Sequence, residues 1–353
     1  MRVVHVHRMR GIGGSERHLL TLLPALAERG IDVAFVGLDD PRWDPADFYA
    51  ALTVPALRLR SARDIDPYLL ARLPRALRAD VVHTHLVHAD VYGGVAAKLR
   101  RAKLVSTKHN DDPFRQGAFR HVERQLLRMA DRVVAITDAL RDFTVQVGAD
   151  ESKVQTIHYG LDALPEAWGD NPPDDVPATA RILLSTSRLT AQKGVDVAIR
   201  ALPSLPDDTV LVVLGEGPER ARLESLAREL DLERRVFLLG RVPDVAAWLR
   251  RATVYVHPAR WEGFGLGVLE AMHASLPVVA TRVSSLPELV VDGVTGKLVA
   301  VDDPNGLAAA IDQALEEPGL GVAGRDRALS EFSVARMADR HVALYATLAS
   351  ASS

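Results

Sequence analysis

The sequence predicts an α/β fold made of two successive parallel-sheet domains. Short apolar runs alternate with longer amphipathic segments along most of the chain, as strands and helices do in βαβ units. A stretch rich in proline and aspartate, residues 165–180, interrupts this alternation and is typical of a linker. The length of 353 residues suits two domains of ordinary size. We therefore expect an N-terminal domain over residues 1–164 and a C-terminal domain over residues 181–333.

In the first domain, apolar runs predict strands at 2–7, 31–37, 81–85, 104–108, 132–137 and 154–158. A helix is expected over 16–28, between a glycine-rich loop and Gly30. The same pattern predicts strands of the second domain at 181–185, 210–214, 236–239, 253–256 and 277–280. Helices should cover both faces of each parallel sheet, since parallel strands need crossover connections. A last amphipathic segment, 334–348, predicts a final helix.

Composition narrows the class of protein. The chain is 48% hydrophobic and 25% charged, as ordinary globular proteins are. The absence of cysteine excludes disulfides, thiolate catalysis and cysteine-based metal sites. Apolar runs are shorter than the roughly 18 residues of a spanning helix, and charged or polar residues interrupt the first strand, so we expect a cytoplasmic protein. The net charge of −3 argues against nucleic-acid binding. The more basic first half leaves two alternatives, contact with an anionic acceptor or lipid surface and a set of solvated arginine faces.

The stretch from Glu262 to Glu270 carries the clearest chemistry. The first glutamate falls in a glycine-punctuated loop after an apolar run, and the second lies about one turn into the next helix. Free N–H groups at a helix start favour an anion such as a diphosphate, while carboxylates accept hydrogen bonds from hydroxyls. The sequence therefore predicts a nucleotide-sugar site. Its loop residues are Gly263, Phe264, Gly265 and Leu266.

This stretch resembles the E-x7-E element of retaining glycosyltransferases of family 4, which have the GT-B fold. His257-Pro258 before it and the sequence Leu-Pro-Val-Val-Ala-Thr after it fit the same resemblance. The resemblance implies two Rossmann-like domains facing across a cleft, with Glu270 on the ribose hydroxyls and Glu262 on the donor sugar. It also implies that the final helix packs back on the first domain. An ordinary strand, loop and helix with two solvated acids is the alternative.

A basic segment after the first strand of the second domain supports the resemblance. Its sequence, Ser-Arg-Leu-Thr-Ala-Gln-Lys-Gly, resembles the family's G-R-L-x-x-x-K-G, with Ser187 in place of the usual glycine. The planar fork of Arg188 and the compact cation of Lys193 suit a diphosphate leaving group, although solvated basic residues are the alternative. Ligands gather at the carboxyl ends of parallel strands, so Gly215, Arg241 and Val242 should border the nucleotide.

The glycine-rich loop of the first domain invites comparison with a dinucleotide fingerprint. That fingerprint needs a third glycine where Glu16 stands, so we discount a dehydrogenase. The loop instead resembles the family's GG-x-x-R/H segment, which implies that Gly13 and Gly14 let a diphosphate or the acceptor approach. A plain tight turn is the alternative.

Two histidines, His83 and His85, share one face of a predicted strand. A metal site is one interpretation, but no nearby acidic ligand is evident. The resemblance implies instead that His85 lies beside the donor sugar, and a hydrogen-bonded histidine at a strand end is the alternative. By the same resemblance, His109 and Asn110 belong to the acceptor side.

No metal or other cofactor is expected. The pair Asp64 and Asp66 has the Asp-x-Asp spacing of a metal site, yet Asp66 stands before Pro67 and an amphipathic segment, which is typical of a helix N-cap. The charge of the leaving diphosphate would then fall to Arg188 and Lys193.

The expected function is retaining transfer of a sugar from a nucleoside diphosphate sugar, with UDP or GDP as the nucleotide. The acceptor would be a small molecule, a glycan or a lipid. Two alternatives stay open. A GT-B nucleotide-sugar epimerase would share the fold and the donor. A non-catalytic nucleotide-sugar-binding protein would share the fold and bind the donor without turning it over.

Overall fold

The computed structural model describes residues 1–61, 66–110, 119–162 and 176–350. The chain divides into two compact units. Unit 1 consists of Met1–Gly160 with Phe332–Ser353, and unit 2 consists of Leu161–Glu331. Among the described residues, no helix combines the length and the apolar character that crossing a bilayer requires.

The strands are short and follow the apolar runs of the sequence. In chain order they are β1 (Arg2–Met9), β2 (Asp32–Asp39), β3 (Ala56–Arg60), β4 (Val81–His85), β5 (Lys103–Lys108), β6 (Arg132–Ala135), β7 (Val154–Thr156), β8 (Arg181–Thr186), β9 (Thr209–Leu214), β10 (Val236–Gly240), β11 (Val254–His257), β12 (Val278–Thr281) and β13 (Lys297–Val299).

The helices alternate with these strands. In chain order they are α1 (Gly14–Glu28), α2 (Ala46–Ala51), α3 (Pro67–Ala76), α4 (Leu86–Arg100), α5 (Arg120–Met129), α6 (Asp138–Val147), α7 (Val195–Ala201), α8 (Arg220–Glu229), α9 (Val245–Arg251), α10 (Leu266–His273), α11 (Leu286–Leu289), α12 (Pro304–Glu316), α13 (Gly319–Glu331) and α14 (Val334–Ser350).

Unit 1 contains a parallel sheet with the order β3-β2-β1-β4-β5-β6-β7 over its described residues. One face packs on α1 and α14 through a shared apolar core that includes Leu22, Met337 and Tyr345. On α4, the Asp90 carboxylate accepts hydrogen bonds from Thr84 of β4 and from a serine of β5. Because the side chains at 83 and 84 point to opposite faces, helices cover both faces of this sheet.

Unit 2 repeats this architecture. Its parallel sheet has the order β10-β9-β8-β11-β12-β13 over the described residues. Its core combines apolar side chains of the central strands with those of α7 and α12, among them Leu183, Ile199 and Ile311. In both sheets the strand order reverses beside the first strand, and at such a switch point ligands bind outside the carboxyl ends of the strands.

Two strands escaped prediction because they lack the expected pattern. Only one side chain of β3 is buried, because β3 lies at the sheet edge, so it lacks an apolar run. Strand β13 has only three residues, which is too short to give a pattern. Several predicted boundaries were also wrong by about two residues, and in two cases a cap explains the difference. The strand at 132 ends at Ala135, because Thr137 caps α6 by accepting from the Leu140 N–H. Helix α1 starts at Gly14, because the Glu16 carboxylate accepts from the Gly13 N–H at 3.0 Å.

Candidate active site

The loops at the carboxyl edge of the unit 2 sheet are tied together by backbone hydrogen bonds. Leu189 N donates to Glu216 O at 2.9 Å, which joins the loops after β8 and β9. Arg260 N donates to Gln192 O at 2.8 Å, which joins the loops after β8 and β11. Residues far apart in the sequence therefore meet at this edge.

Gly194 allows the closest of these approaches. Its φ is +62°, and a Cβ atom placed on it would lie 1.9 Å from the carbonyl oxygen of Pro258. An L side chain would meet both the strained backbone conformation and this steric conflict. The glycine therefore lets Lys193, its neighbour, lie against the loop that carries Glu262.

Lys193, Glu262 and His257 form a compact polar group. The Nζ atom of Lys193 lies 2.5 Å from Oε2 of Glu262, and Nε2 of His257 lies 2.7 Å from the same oxygen. The second oxygen of Glu262 accepts from the Gly263 N–H at 3.1 Å. All three side chains have little exposed surface, with 13% for the lysine and 11% for the glutamate.

Burial and the contacts within this group set the protonation states of Glu262 and His257. Burial alone would raise the pKa of Glu262, but the hydrogen bond from His257 and the charge of Lys193 outweigh it, and the pKa lies well below the usual range. Burial lowers the pKa of His257 more than the carboxylate raises it. The imidazole is therefore neutral at pH 7, and its Nε2–H donates to an ionised Glu262.

Helix α10 begins beside this group. Gly265, the residue before the helix, has a φ of +99°, so the chain turns sharply there and leaves the first amides of the helix without intrahelical acceptors. Glu270 lies half-buried in the second turn, and Phe264 is buried. Burial raises the pKa of the Tyr255 hydroxyl, and the charges of Glu270 and Glu262 raise it further. Both carboxylates therefore lie within electrostatic reach of one hydroxyl.

The other predicted residues of unit 2 lie along the same edge. Gly215 packs against the carbonyl of Ser187, and the exposed Arg241 lies 3.7 Å from Glu216. Val242 is half-buried and Arg188 is exposed. Within the part of the chain that the structure describes, Arg188 makes no ion pair with Glu262 or Glu270.

In unit 1, Gly13 and Gly14 are exposed at the start of α1. The Glu16 carboxylate accepts from Gly13 N and from Ser15 Oγ, both at 3.0 Å. Glu16, which stands where the dinucleotide fingerprint needs a glycine, therefore caps the start of α1. His7 contacts the same helix start, since its Nε2 lies 3.1 Å from Ser15 Oγ.

The structure brings His85 and His109 into contact. Nδ1 of His85 lies 3.0 Å from Nε2 of His109, and the other ring nitrogen of His109 is hydrogen-bonded to the Tyr159 hydroxyl. His85 has no exposed surface, and its Nε2 lies 2.9 Å from Nδ1 of His5. Asn110 is half-buried. Both ring nitrogens of His85 therefore have partners inside unit 1.

Two groups were missed in the sequence. His257 was noted only as part of a motif, although its place five residues before Glu262 at a strand end is the available signal. His5 and His7 repeat the spacing of His83 and His85, and that repetition could have suggested paired strands with facing histidines.

Two groups of residues in unit 1, the Asp64/Asp66 pair and the histidines of β1 and β4, have the side-chain chemistry of metal ligands. The Asp66 carboxylate accepts from Tyr68 N at 2.9 Å and so caps α3, while Asp64 lies outside the described residues. His5, His83 and His85 offer ligand atoms within 4.8 Å of one another. However, the rings of His83 and His85 stack with an interplanar angle of 19°, so their in-plane lone pairs do not converge on one point.

Family models match both halves of the chain. Residues 12–163 match the model described as Glycosyltransferase Family 4, and residues 170–331 match Glycosyl transferases group 1. The lipopolysaccharide core biosynthesis mannosyltransferase LpcC of Rhizobium leguminosarum is 30% identical over 96% of this chain and 94% of its own length. A D-inositol 3-phosphate glycosyltransferase of Xylanimonas cellulosilytica is 30% identical over 87% of this chain and 84% of its own.

Solved structures agree on the fold. The structure of Anabaena HepE in complex with UDP and glucose matches 98% of this chain and 100% of its own, with a TM-score of 0.85 at 22% identity. A glycosyltransferase from Rickettsia africae matches 98% of each chain, with a TM-score of 0.84 at 19% identity. The predicted GT-B fold and the predicted family are thus confirmed: the chain belongs to glycosyltransferase family 4, and it is an enzyme of the glycosyltransferase class.

Proposed function

We propose that the enzyme transfers a sugar from a nucleoside diphosphate sugar to an acceptor hydroxyl, with retention of the anomeric configuration and without a metal ion. One observation carries this proposal: an ionised Glu262, held by Lys193 and His257, lies beside the start of α10. The helix start favours an anion, and the carboxylate accepts hydrogen bonds from hydroxyls. A sugar diphosphate supplies both groups.

Different residues would bind different parts of the donor. Lys193, Arg188 and the amides at the start of α10 bind the diphosphate and stabilise its charge as it leaves. Glu270 binds the ribose hydroxyls and Glu262 the donor sugar, while the loops with Gly215, Arg241 and Val242 border the base. In unit 1, Gly13 and Gly14 serve the donor and Asn110 the acceptor. The rings of His85 and His109 lie beside donor and acceptor without hydrogen-bonding to them, because their nitrogens are bonded inside unit 1. The UDP in the HepE complex supports UDP as one donor nucleotide, and GDP is the second candidate.

A donor panel tests the proposal. Thermal shifts with UDP, GDP, ADP and TDP identify the nucleotide, because a ligand of the folded state raises its apparent stability. Nucleoside diphosphate release from the matching sugar donors, with and without candidate acceptors, then measures transfer. If no donor in the panel raises the melting temperature or is turned over, the proposal is wrong.

The same assay separates the epimerase alternative. An epimerase would convert the donor sugar in the absence of any acceptor, and NMR of the recovered donor would detect the epimer. Family placement favours transfer over this alternative and over a non-catalytic binding protein.

A further inference from the structure

A continuous hydrogen-bonded chain of buried side chains runs through unit 1 on the face covered by α1 and α14. Every member is less than a tenth exposed. From one end to the other, its members are Thr107, His83, Tyr345, His5, His85, His109 and Tyr159.

The distances along the chain are those of hydrogen bonds. His83 lies 2.6 Å from both Thr107 Oγ1 and the Tyr345 hydroxyl. The longest contact, 3.4 Å, joins this hydroxyl to Nε2 of His5, and the two contacts of His85 follow at 2.9 and 3.0 Å. Among the described residues, the Tyr345 hydroxyl therefore provides the hydrogen-bonded link between His83 and His5, whose rings are otherwise only in van der Waals contact.

Strand register builds this chain. Parallel pairing sets His5 opposite His83, and His85 opposite both His7 and Thr107. Because side chains alternate between faces, these residues all point to the face that α14 covers. Helix α14 adds Tyr345 because its apolar stripe docks on the same core as β1 and β4.

The four histidines of the chain are neutral. Burial lowers the pKa of each, and that of His5 falls to about 3. A neutral imidazole has one N–H donor and one nitrogen acceptor. Because each ring uses both nitrogens within the chain, each must donate once and accept once.

This constraint couples the four tautomers. If the Tyr345 hydroxyl donates to His5, the proton of every ring in the chain sits on Nδ1. If Tyr345 instead donates to His83, every proton sits on Nε2. The hydrogen bonds therefore allow two states of the whole chain, and a mixture of tautomers within it would break at least one bond.

We infer that His5 and Tyr345 are positioning residues that fix, through this chain, the orientation and tautomer of His85 and His109. This inference rests on the proposed function, which places the rings of those two histidines beside the substrates. Helix α14, from the far end of the sequence, then contributes to the active site although no residue of it touches a substrate in this assignment.

Two substitutions test the inference. Tyr345→Phe keeps the ring and removes the hydroxyl that joins the two segments. His5→Phe keeps an aromatic ring and leaves Nε2 of His85 without its partner. Tyr92→Phe is the matched control, because Tyr92 is a buried tyrosine of unit 1 whose hydroxyl accepts from Asp66 N, outside the chain.

The first measurement is nitrogen NMR of the full-length protein with labelled histidine, at pH 7 and without substrate. The protein has 12 histidines, few enough to assign by substitution. We expect the four chain histidines to be neutral with the proton on the same ring atom. Tyr345→Phe should uncouple the tautomer of His83 from that of His5, His85 and His109, so that these histidines show tautomer mixtures. Tyr92→Phe should leave the signals of the four chain histidines unchanged.

The second measurement is steady-state turnover. His5→Phe should lower kcat roughly ten- to hundredfold, the scale of a small misplacement of a catalytic group, with unchanged nucleotide affinity. Unequal tautomers in the wild-type chain, or equal spectra for Tyr345→Phe and Tyr92→Phe, would overturn the inference. So would a zinc ion retained in stoichiometric amount after dialysis, since it would make His5, His83 and His85 metal ligands. If no donor is turned over, the proposed function fails, and the spectra still decide whether the chain exists.

Discussion

His257 Nε2 lies 2.7 Å from Oε2 of Glu262, the carboxylate oxygen that Lys193 also approaches. One oxygen thus accepts from a neutral imidazole and from an ammonium group, while the other accepts from the Gly263 amide. The carboxylate is fixed on two sides before any ligand binds. This arrangement makes His257 a positioning residue for the Glu262 carboxylate.

Replacement of His257 should therefore damage turnover more than nucleotide binding. His257→Leu removes a hydrogen bond to a charged group, worth about 1.5 to 3 kcal/mol, which corresponds to a roughly ten- to hundredfold loss in kcat. His257→Gln keeps an N–H donor and should retain most of the activity. Equal activities for the two variants would show that the hydrogen bond does not position Glu262.

The two motif glutamates should differ in effect. Glu270→Ala should weaken nucleotide binding by about 1 to 3 kcal/mol, because its carboxylate is assigned to the ribose hydroxyls. Glu262→Ala should lower turnover more than affinity for the bare nucleotide. Calorimetry with the preferred nucleoside diphosphate measures the affinity of both variants, and an activity assay measures their turnover. Equal losses of affinity would contradict this division of roles.

Activity should survive excess EDTA, because the charge of the leaving diphosphate is assigned to Lys193 and Arg188. Removing either side chain by alanine should lower turnover roughly 10²- to 10³-fold, the range for one preorganised electrostatic donor. Arg181→Ala is the control, since Arg181 is exposed at the start of β8 and pairs with Asp208. Turnover that chelation abolishes and Mg²⁺ or Mn²⁺ restores would refute this assignment.

Unit 1 should lose stability in mild acid before unit 2 does. Burial lowers the pKa of several of its histidines from 6.5, to about 3 for His5 and about 4 for His341. Between pH 6.5 and these values the unfolded state binds more protons, so each such histidine destabilises the fold by up to about 1.4 kcal/mol per pH unit as the pH falls. Hydrogen exchange at pH 7, 5.5 and 4.5 should show β1 and β4 opening before β8 and β9.

His18→Phe provides a matched variant for this test. His18 is buried against the Tyr159 ring, with centroids 4.3 Å apart, and within the described residues neither of its nitrogens has a hydrogen-bond partner. Phenylalanine keeps the stacking and removes a group that acid would protonate. The variant should be more stable than the wild type at pH 5.5, and a lower melting temperature there would contradict the account.

Gly194→Ala should destabilise unit 2 and lower turnover together. The substitution combines a left-handed backbone with a Cβ atom 1.9 Å from the Pro258 carbonyl, so the loop with Lys193 must move away from Glu262. Gly293→Ala is the control, because Gly293 has a φ of +74° and open space around it. The control should cost only the left-handed strain of about 1 to 2 kcal/mol and retain kcat. Equal effects of the two substitutions on kcat would show that contact with Pro258 does not position Lys193.

The sequence by itself determined the two parallel sheets, the family and the order of the motifs. Apolar runs and helical periodicity are local, so most strands and the first and last helices were predicted to within a few residues. The capping role of Asp66 was predicted for the same reason, because a cap bonds to the N–H two residues further on. The edge strands β3 and β13 lacked a local signal and were missed.

Only the tertiary structure decided which motif residues meet. Lys193 and Glu262 come from different loops and pair because Gly194 lets the two loops touch. His5 and His83 become neighbours because β1 pairs with β4, and Tyr345 reaches them from the last helix. No local pattern carries such information, since strand order and helix docking follow from how apolar faces across the whole unit are buried together.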